Sequence, residues 1–203
     1  MQTDRYPTNW AHYCSHVFHT GADQFGFNSG TADVNRFSAR FRAAASYRGV
    51  ILEGYSDATA QGYSALCRTL FVWSAFESFL KITNQAQGDM GPCFERHGGA
   101  EIAEALKRAD PGNLFYTFIH ERVNATHQRE LANYFNADPC NIGYLASAIR
   151  HIFAHGWLTP NANQGDPLVA VSICNQLCDF LILVMDNEFG ARVAEGLSDL
   201  HGR

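Results

Sequence analysis

Charge is scarce in this sequence: Asp, Glu, Lys and Arg make up 17% of 203 residues, against 46% hydrophobic. That balance excludes an intrinsically disordered chain, and the length suits one substantial core. No two of the six cysteines (Cys14, Cys67, Cys93, Cys140, Cys174 and Cys178) form a CxxC pair. Without an export signal, reduced thiols rather than a disulfide framework are expected, with packing set against a metal or redox role. Cys174 and Cys178 stand four apart on an apolar helix, where core packing is the natural role. The start, MQTDRYPTNWAHY, lacks the basic end and apolar stretch of a signal peptide. The most apolar run, Phe180 to Met185, is far short of the roughly 20 residues that span a bilayer. A cytoplasmic protein with no membrane association is expected. His120-Glu121 lacks a second histidine at position 124, so the HExxH metalloprotease pattern fails.

Alternating strand patterns and internal repeats are also missing, and helical periodicity fills their place. Helices are predicted over 10–20, 31–47, 59–85, 100–108, 114–122, 126–135, 141–155 and 167–197. In the long third segment Leu66, Leu70, Trp73, Phe76, Phe79 and Leu80 follow three- and four-residue steps, one buried face of a helix. Val50-Ile51-Leu52 reads as a short extended piece in the 49–57 connector. Residues 87–99, with four Gly and one Pro, read as a break, and Asp110-Pro111-Gly112 and Asp138-Pro139 as punctuation. Asp166 is placed to cap the last helix, with Pro167 in its first turn. The expected fold is all-α: an up-and-down bundle over 56–200, a short helical insertion within it, and extra helices in the first fifty residues, all in one domain.

Net charge is −5, so the surface as a whole does not attract nucleic acid. Between Asp33 and Glu53, however, the only charged residues are Arg36, Arg40, Arg42 and Arg48. These four residues read either as a solvated helix face or as a phosphate-contacting strip, with Arg36 and Arg40 on one face beside Phe37 and Phe41. His12, His16 and His19 follow i, i+4, i+7 and offer three imidazoles from one face, without an adjacent fourth ligand to complete a metal site. No metal or cofactor is expected.

The helix Tyr144-Leu-Ala-Ser-Ala-Ile-Arg-His-Ile-Phe-Ala-His155 separates into two faces. Leu145, Ala148, Ile149, Ile152 and Phe153 gather on one side; Arg150, His151 and His155 occupy the other, spread over about 140°. A guanidinium matches phosphate oxygens, and an imidazole gives or takes a proton near neutral pH. Together they suit cleavage of RNA through its own 2′-hydroxyl. The bland alternative is that Arg150 and His155 simply cap a helix C-terminus.

The stretch Ala148-Ile-Arg-His-Ile-Phe-Ala-His-Gly156 resembles the R-x4-6-H motif of the HEPN family, with Arg150 as the motif arginine, His151 as its polar neighbour and His155 as the motif histidine. Trp73-Ser-Ala-Phe-Glu-Ser-Phe-Leu80 looks like the long earlier helix of such domains, with Glu77 as the supporting acid. The resemblance implies a helical bundle forming a homodimer, with paired motifs sharing one cleft. It further implies metal-independent endoribonuclease activity on RNA, in a toxin–antitoxin or defence setting with an antitoxin or nucleotidyltransferase partner. For other members of the family it implies only RNA or nucleotide binding. Members with an R-x4-H-x-Y motif carry tyrosine where this chain has Trp157, so control through that tyrosine does not carry over.

Overall fold

A computed structural model describes residues 5–136, 141–162 and 165–201 of the chain. Among these residues there are nine α-helices and no strand. In chain order they are α1 (Trp10–Thr20), α2 (Thr31–Ser46), α3 (Asp57–Thr83), α4 (Gly91–Arg96), α5 (Gly99–Ala109), α6 (Leu114–His120), α7 (Ala125–Phe135), α8 (Gly143–Ala154) and α9 (Pro167–His201). The all-α fold expected from the periodicity is what forms. Asp138-Pro139 and Cys140 lie outside the described residues.

Two long helices organise the bundle. α3 lies along α9 on one side and α2 on another, and α8 packs against it as well. Ser56 starts α3 by accepting the Thr59 amide on its hydroxyl, and Asn84, in left-handed backbone, closes it. Having partners on several sides, α3 buries Leu66, Val72, Trp73, Phe76, Phe79 and Ile82, more of its circumference than a single stripe. Asp166 caps α9 as expected, its carboxylate accepting the Leu168 amide at 2.9 Å.

By length and composition α9 is also apolar enough to cross a membrane, over a longer window than Phe180–Met185 suggests. Small and uncharged polar residues between its large ones extend that window. Half of the window is buried inside the bundle, with Ile173, Cys174, Leu177, Cys178, Leu181, Val184 and Met185 all in the core.

The first fifty residues share this core. Phe189 of α9 meets the rings of Trp10, Tyr13, Phe27 and Phe37 with centroids 5.1–6.0 Å apart. Such ring pairs add to simple area burial and clamp α1 and α2 onto the long helix.

Residues 50–52 form neither helix nor paired strand, and the Val50 amide donates to Ser64 Oγ at 3.0 Å. One segment differs from expectation. The Gly-rich 87–99 stretch is not merely a break: it contains a 3-10 turn (Gln87–Met90) and α4. Pro92 stands in the first turn of α4, where a missing N–H costs nothing. Met90, Cys93 and Phe94 bury their side chains and hold the segment down.

Candidate functional site

α8 separates its faces as its period demands. Leu145, Ala148, Ile149 and Ile152 are buried, Arg150 and Phe153 half-buried, and His151 and His155 exposed. The helix closes on backbone alone. Gly156 adopts φ 76°, its amide donates to the Phe153 carbonyl at 2.9 Å, and the Trp157 amide donates to Ile152 at 3.1 Å. This is a Schellman closure, and glycine is needed for the left-handed step. The terminal carbonyls thus have amide partners, so Arg150 and His155 are not required as caps.

The two imidazoles are free for other work. The His151 and His155 rings meet edge to face with centroids 4.5 Å apart. Neither ring makes a hydrogen bond among the described residues. Trp157, 62% exposed, tilts toward His155 at 6.5 Å. Arg150 reaches across to α3, where its Nη2 stands 3.6 Å from Glu77 Oε1. The structure therefore forms two pairs from the residues expected at the site, Arg150 with Glu77 and His151 with His155.

A fifth group emerges only in three dimensions. His127, on α7, places Nε2 3.2 Å from Ser147 Oγ of α8, its Nδ1 3.1 Å from Asn124 Oδ1, and its ring edge-on to Tyr144. Burial depresses its pKa below the usual histidine value, and the nearby His151 adds to the depression. No spacing rule links residue 127 to residue 151. The connection comes from α7 packing on α8.

Glu77 also lines a cavity of about 230 Å³ together with Asp33, Arg36, Arg40, Ser78 and Lys81. There Arg40 donates to Ser78 Oγ, and Lys81 and Arg36 both pair with Asp33. These bonds hold the Asp33 carboxyl below its ordinary range, the Lys81 hydrogen bond most of all. The four arginines of the basic segment thus part company. Arg36 and Arg40 join the Glu77 surface; Arg42 turns to Tyr6, donating to its hydroxyl at 2.9 Å and lying over its ring; Arg48 lines a separate hollow.

Among the described residues only Cys93, His97 and Glu188 bring three potential metal-ligand atoms together, all within 4.8 Å of one another. His12, His16 and His19 do not. In the Cys93 cluster Glu188 already bonds His97 at 2.9 Å and Arg96 at 3.0 Å. Burial would raise the Glu188 carboxyl, but those bonds outweigh it and hold it low, whereas burial pushes the Cys93 thiol up to about 12. With its carboxylate satisfied and its thiol protonated, the cluster ties α4 to α9. Cys174 and Cys178 are likewise pushed up, to about 12 and about 11, by full burial, the inert thiols of a core.

Comparison with family models, curated proteins and solved structures finds no match to this chain.

Proposed function

We propose that this chain is a HEPN-type, metal-independent endoribonuclease acting as a homodimer. The observation that carries the proposal is the exposed His151–His155 ring pair beside Arg150, at a helix end whose carbonyls are already satisfied by backbone. Uncapped, unburied imidazoles next to a guanidinium are positioned to meet a phosphodiester.

In the proposed reaction the substrate's 2′-oxygen attacks phosphorus as its proton passes to one imidazole. The bond from phosphorus to the 5′-oxygen breaks, and a second imidazole donates a proton to that oxygen. The products are a 2′,3′-cyclic phosphate and a 5′-hydroxyl, with no water consumed. His155 is the acid or base, Arg150 holds the non-bridging oxygens, and His151 orients substrate or its partner histidine. Glu77 positions Arg150.

Support for a homodimer comes from the aromatic surface bordering the motif. Tyr55, 54% exposed, meets Tyr63 edge to face, and Tyr63 in turn meets Phe153 of α8. Trp157 beside His155, and Tyr55, leave exposed aromatic surface that a second copy could cover. Membership of a toxin–antitoxin or defence system, with a partner protein, belongs to the same proposal.

The experiment is incubation of purified protein with single-stranded RNA in excess chelator. Fragments ending in 2′,3′-cyclic phosphate, lost in His155→Ala, are expected; intact RNA across varied substrates would overturn catalysis.

One observation favours a second reading, a non-catalytic RNA-binding module: Glu77 partly neutralises the guanidinium that catalysis needs. Binding that depends on Arg150 yet never yields product would select it.

A further inference from the structure

A large hollow among the described residues lies away from the histidines. Its volume is about 610 Å³, and it is walled by the end of α2 and the connector after it, the first half of α3, and α9. That volume falls within the range of small-molecule sites. Three guanidinium groups line it, from Arg5, Arg48 and Arg68, with one carboxylate, Asp179. A concentration of positive charge in a concavity runs against a chain of net charge −5 and attracts a counter-ion.

The three arginines are unequally committed. Arg68, largely buried, is fixed by Asn175 Oδ1 at 3.0 Å and Asp179 Oδ1 at 2.6 Å. Arg5 donates from one nitrogen to the Ala45 carbonyl, leaving its other N–H groups unassigned. Arg48 makes no side-chain hydrogen bond or ion pair among the described residues. One arginine is thus held rigid by an acid, and two more present unspent donors to the same hollow. Planar guanidinium forks match the oxygens of a phosphoryl group, two bonds at a time. Ser64 and Gln61 add polar atoms, and Ala45, Ala65 and Val171 supply an apolar wall that a bare anion would not use.

This hollow is separate from the surface assigned to RNA. Ala65 and Ser78, at the centres of the two regions on α3, are about 20 Å apart along the helix axis.

We propose that the Arg5–Arg48–Arg68 hollow is a binding site for a small phosphorylated ligand, with the phosphoryl group between Arg5 and Arg48 and an organic portion against Ala45, Ala65 and Val171. Ligand occupancy neutralises the converging cations and staples the connector after α2 to α3 and α9.

The test is isothermal titration of the full chain with ADP, pyrophosphate and inorganic phosphate at constant ionic strength. Saturable binding of at least one of them is expected, weakened roughly tenfold or more in Arg48→Ala and in Arg5→Ala. Both substitutions are at exposed side chains, and an unchanged melting temperature of each free variant verifies folding. ADP binding tighter than pyrophosphate and phosphate supports an organic ligand; equal binding of all three supports the phosphoryl site and identifies free phosphate as its source. No saturable binding to the wild type below about 1 mM, or binding unaltered in the Arg5→Ala/Arg48→Ala double variant, overturns the proposal. Loss of RNA cleavage in His155→Ala leaves this titration unchanged, so the two sites fail independently.

Discussion

Arg150 and Glu77 face each other 3.6 Å apart across the seam between α8 and α3, with 39% and 48% of their side chains exposed. At that separation and exposure the pair contributes little to stability, because water screens it and two long side chains must be ordered. Under the proposed function its value is to aim the guanidinium. Glu77→Gln is expected to change unfolding free energy by no more than about 1 kcal/mol, measured by urea titration. RNA binding should strengthen, because the variant removes a negative charge beside the phosphate path. If the variant binds RNA as wild type does and cleaves at the same rate, Glu77 does not position Arg150.

The exposed imidazoles lead to a contrast between stability and activity. His155→Ala and His151→Ala each remove a side chain with no hydrogen bond among the described residues, so unfolding free energy should shift by less than about 0.5 kcal/mol. Cleavage in His155→Ala should fall by about 10²–10⁴-fold, the usual worth of a general acid or base. His151→Ala should lose less. A His155→Ala protein that unfolds much earlier than wild type would show a structural histidine instead.

Arg36 and Arg40 share the Glu77 cavity, whereas Arg42 is engaged by Tyr6 and Arg48 lies at another hollow. Each phosphate contact to a single strand contributes about 0.7 to the slope of log affinity against log salt. Arg36→Ala and Arg40→Ala should therefore each flatten that slope by about 0.7, and Arg42→Ala should not change it. Filter binding across a salt series reads the difference. Equal effects from all three arginines would mean diffuse attraction rather than a defined path.

Much of this arrangement is legible in the sequence, for a physical reason. The 3.6-residue period fixes which side chains share a face of α8, so the split between Ile149 and Ile152 on one side and His151 and His155 on the other needs no tertiary information. The same holds for α1, whose bounds match the pattern. α4 was illegible because Gly and Pro weaken helices only in their interiors, and its anchoring by Met90, Cys93 and Phe94 is a tertiary fact. His127 was illegible as a neighbour of His151, since helix packing rather than spacing joins them. The divergence of Arg42 from Arg40 also depends on a remote residue, Tyr6.

His127 gives the fold a pH dependence whose sign follows from its depressed pKa. Well above the unfolded value of about 6.5, both states hold the ring neutral and pH has no effect through this group. As pH falls through that value the unfolded chain takes up the proton first, so stability declines. The decline ends once pH is below the folded pKa, where both states are protonated. Urea unfolding of wild type and His127→Gln between pH 8 and pH 5 measures the effect. The wild type should lose stability on acidification more steeply than the variant; parallel curves would show that His127 is not the group responsible.

Gly62 is the point where α3 meets the loop that follows the motif. A Cβ at this position would lie 2.4 Å from Pro160 Cβ and 2.9 Å from Pro160 Cγ. Pro160 is itself buried, and Leu158 beside it is 2% exposed, so neither can retreat into solvent. Overpacking of this kind costs about 1–3 kcal/mol, which for a chain of this size lowers the melting temperature by roughly 2–12 °C. In Gly62→Ala the adjustment should fall on the loop, since α3 is held by α2 and α9 along its length. Hydrogen exchange should accelerate at the amides of Gly156 and Trp157, whose bonds close α8, and cleavage should weaken because His155 sits at that closure. A Gly62→Ala protein with wild-type melting and unchanged exchange at 156–157 would show that the loop yields without disturbing the helix end, and that the histidines do not depend on this contact for their placement.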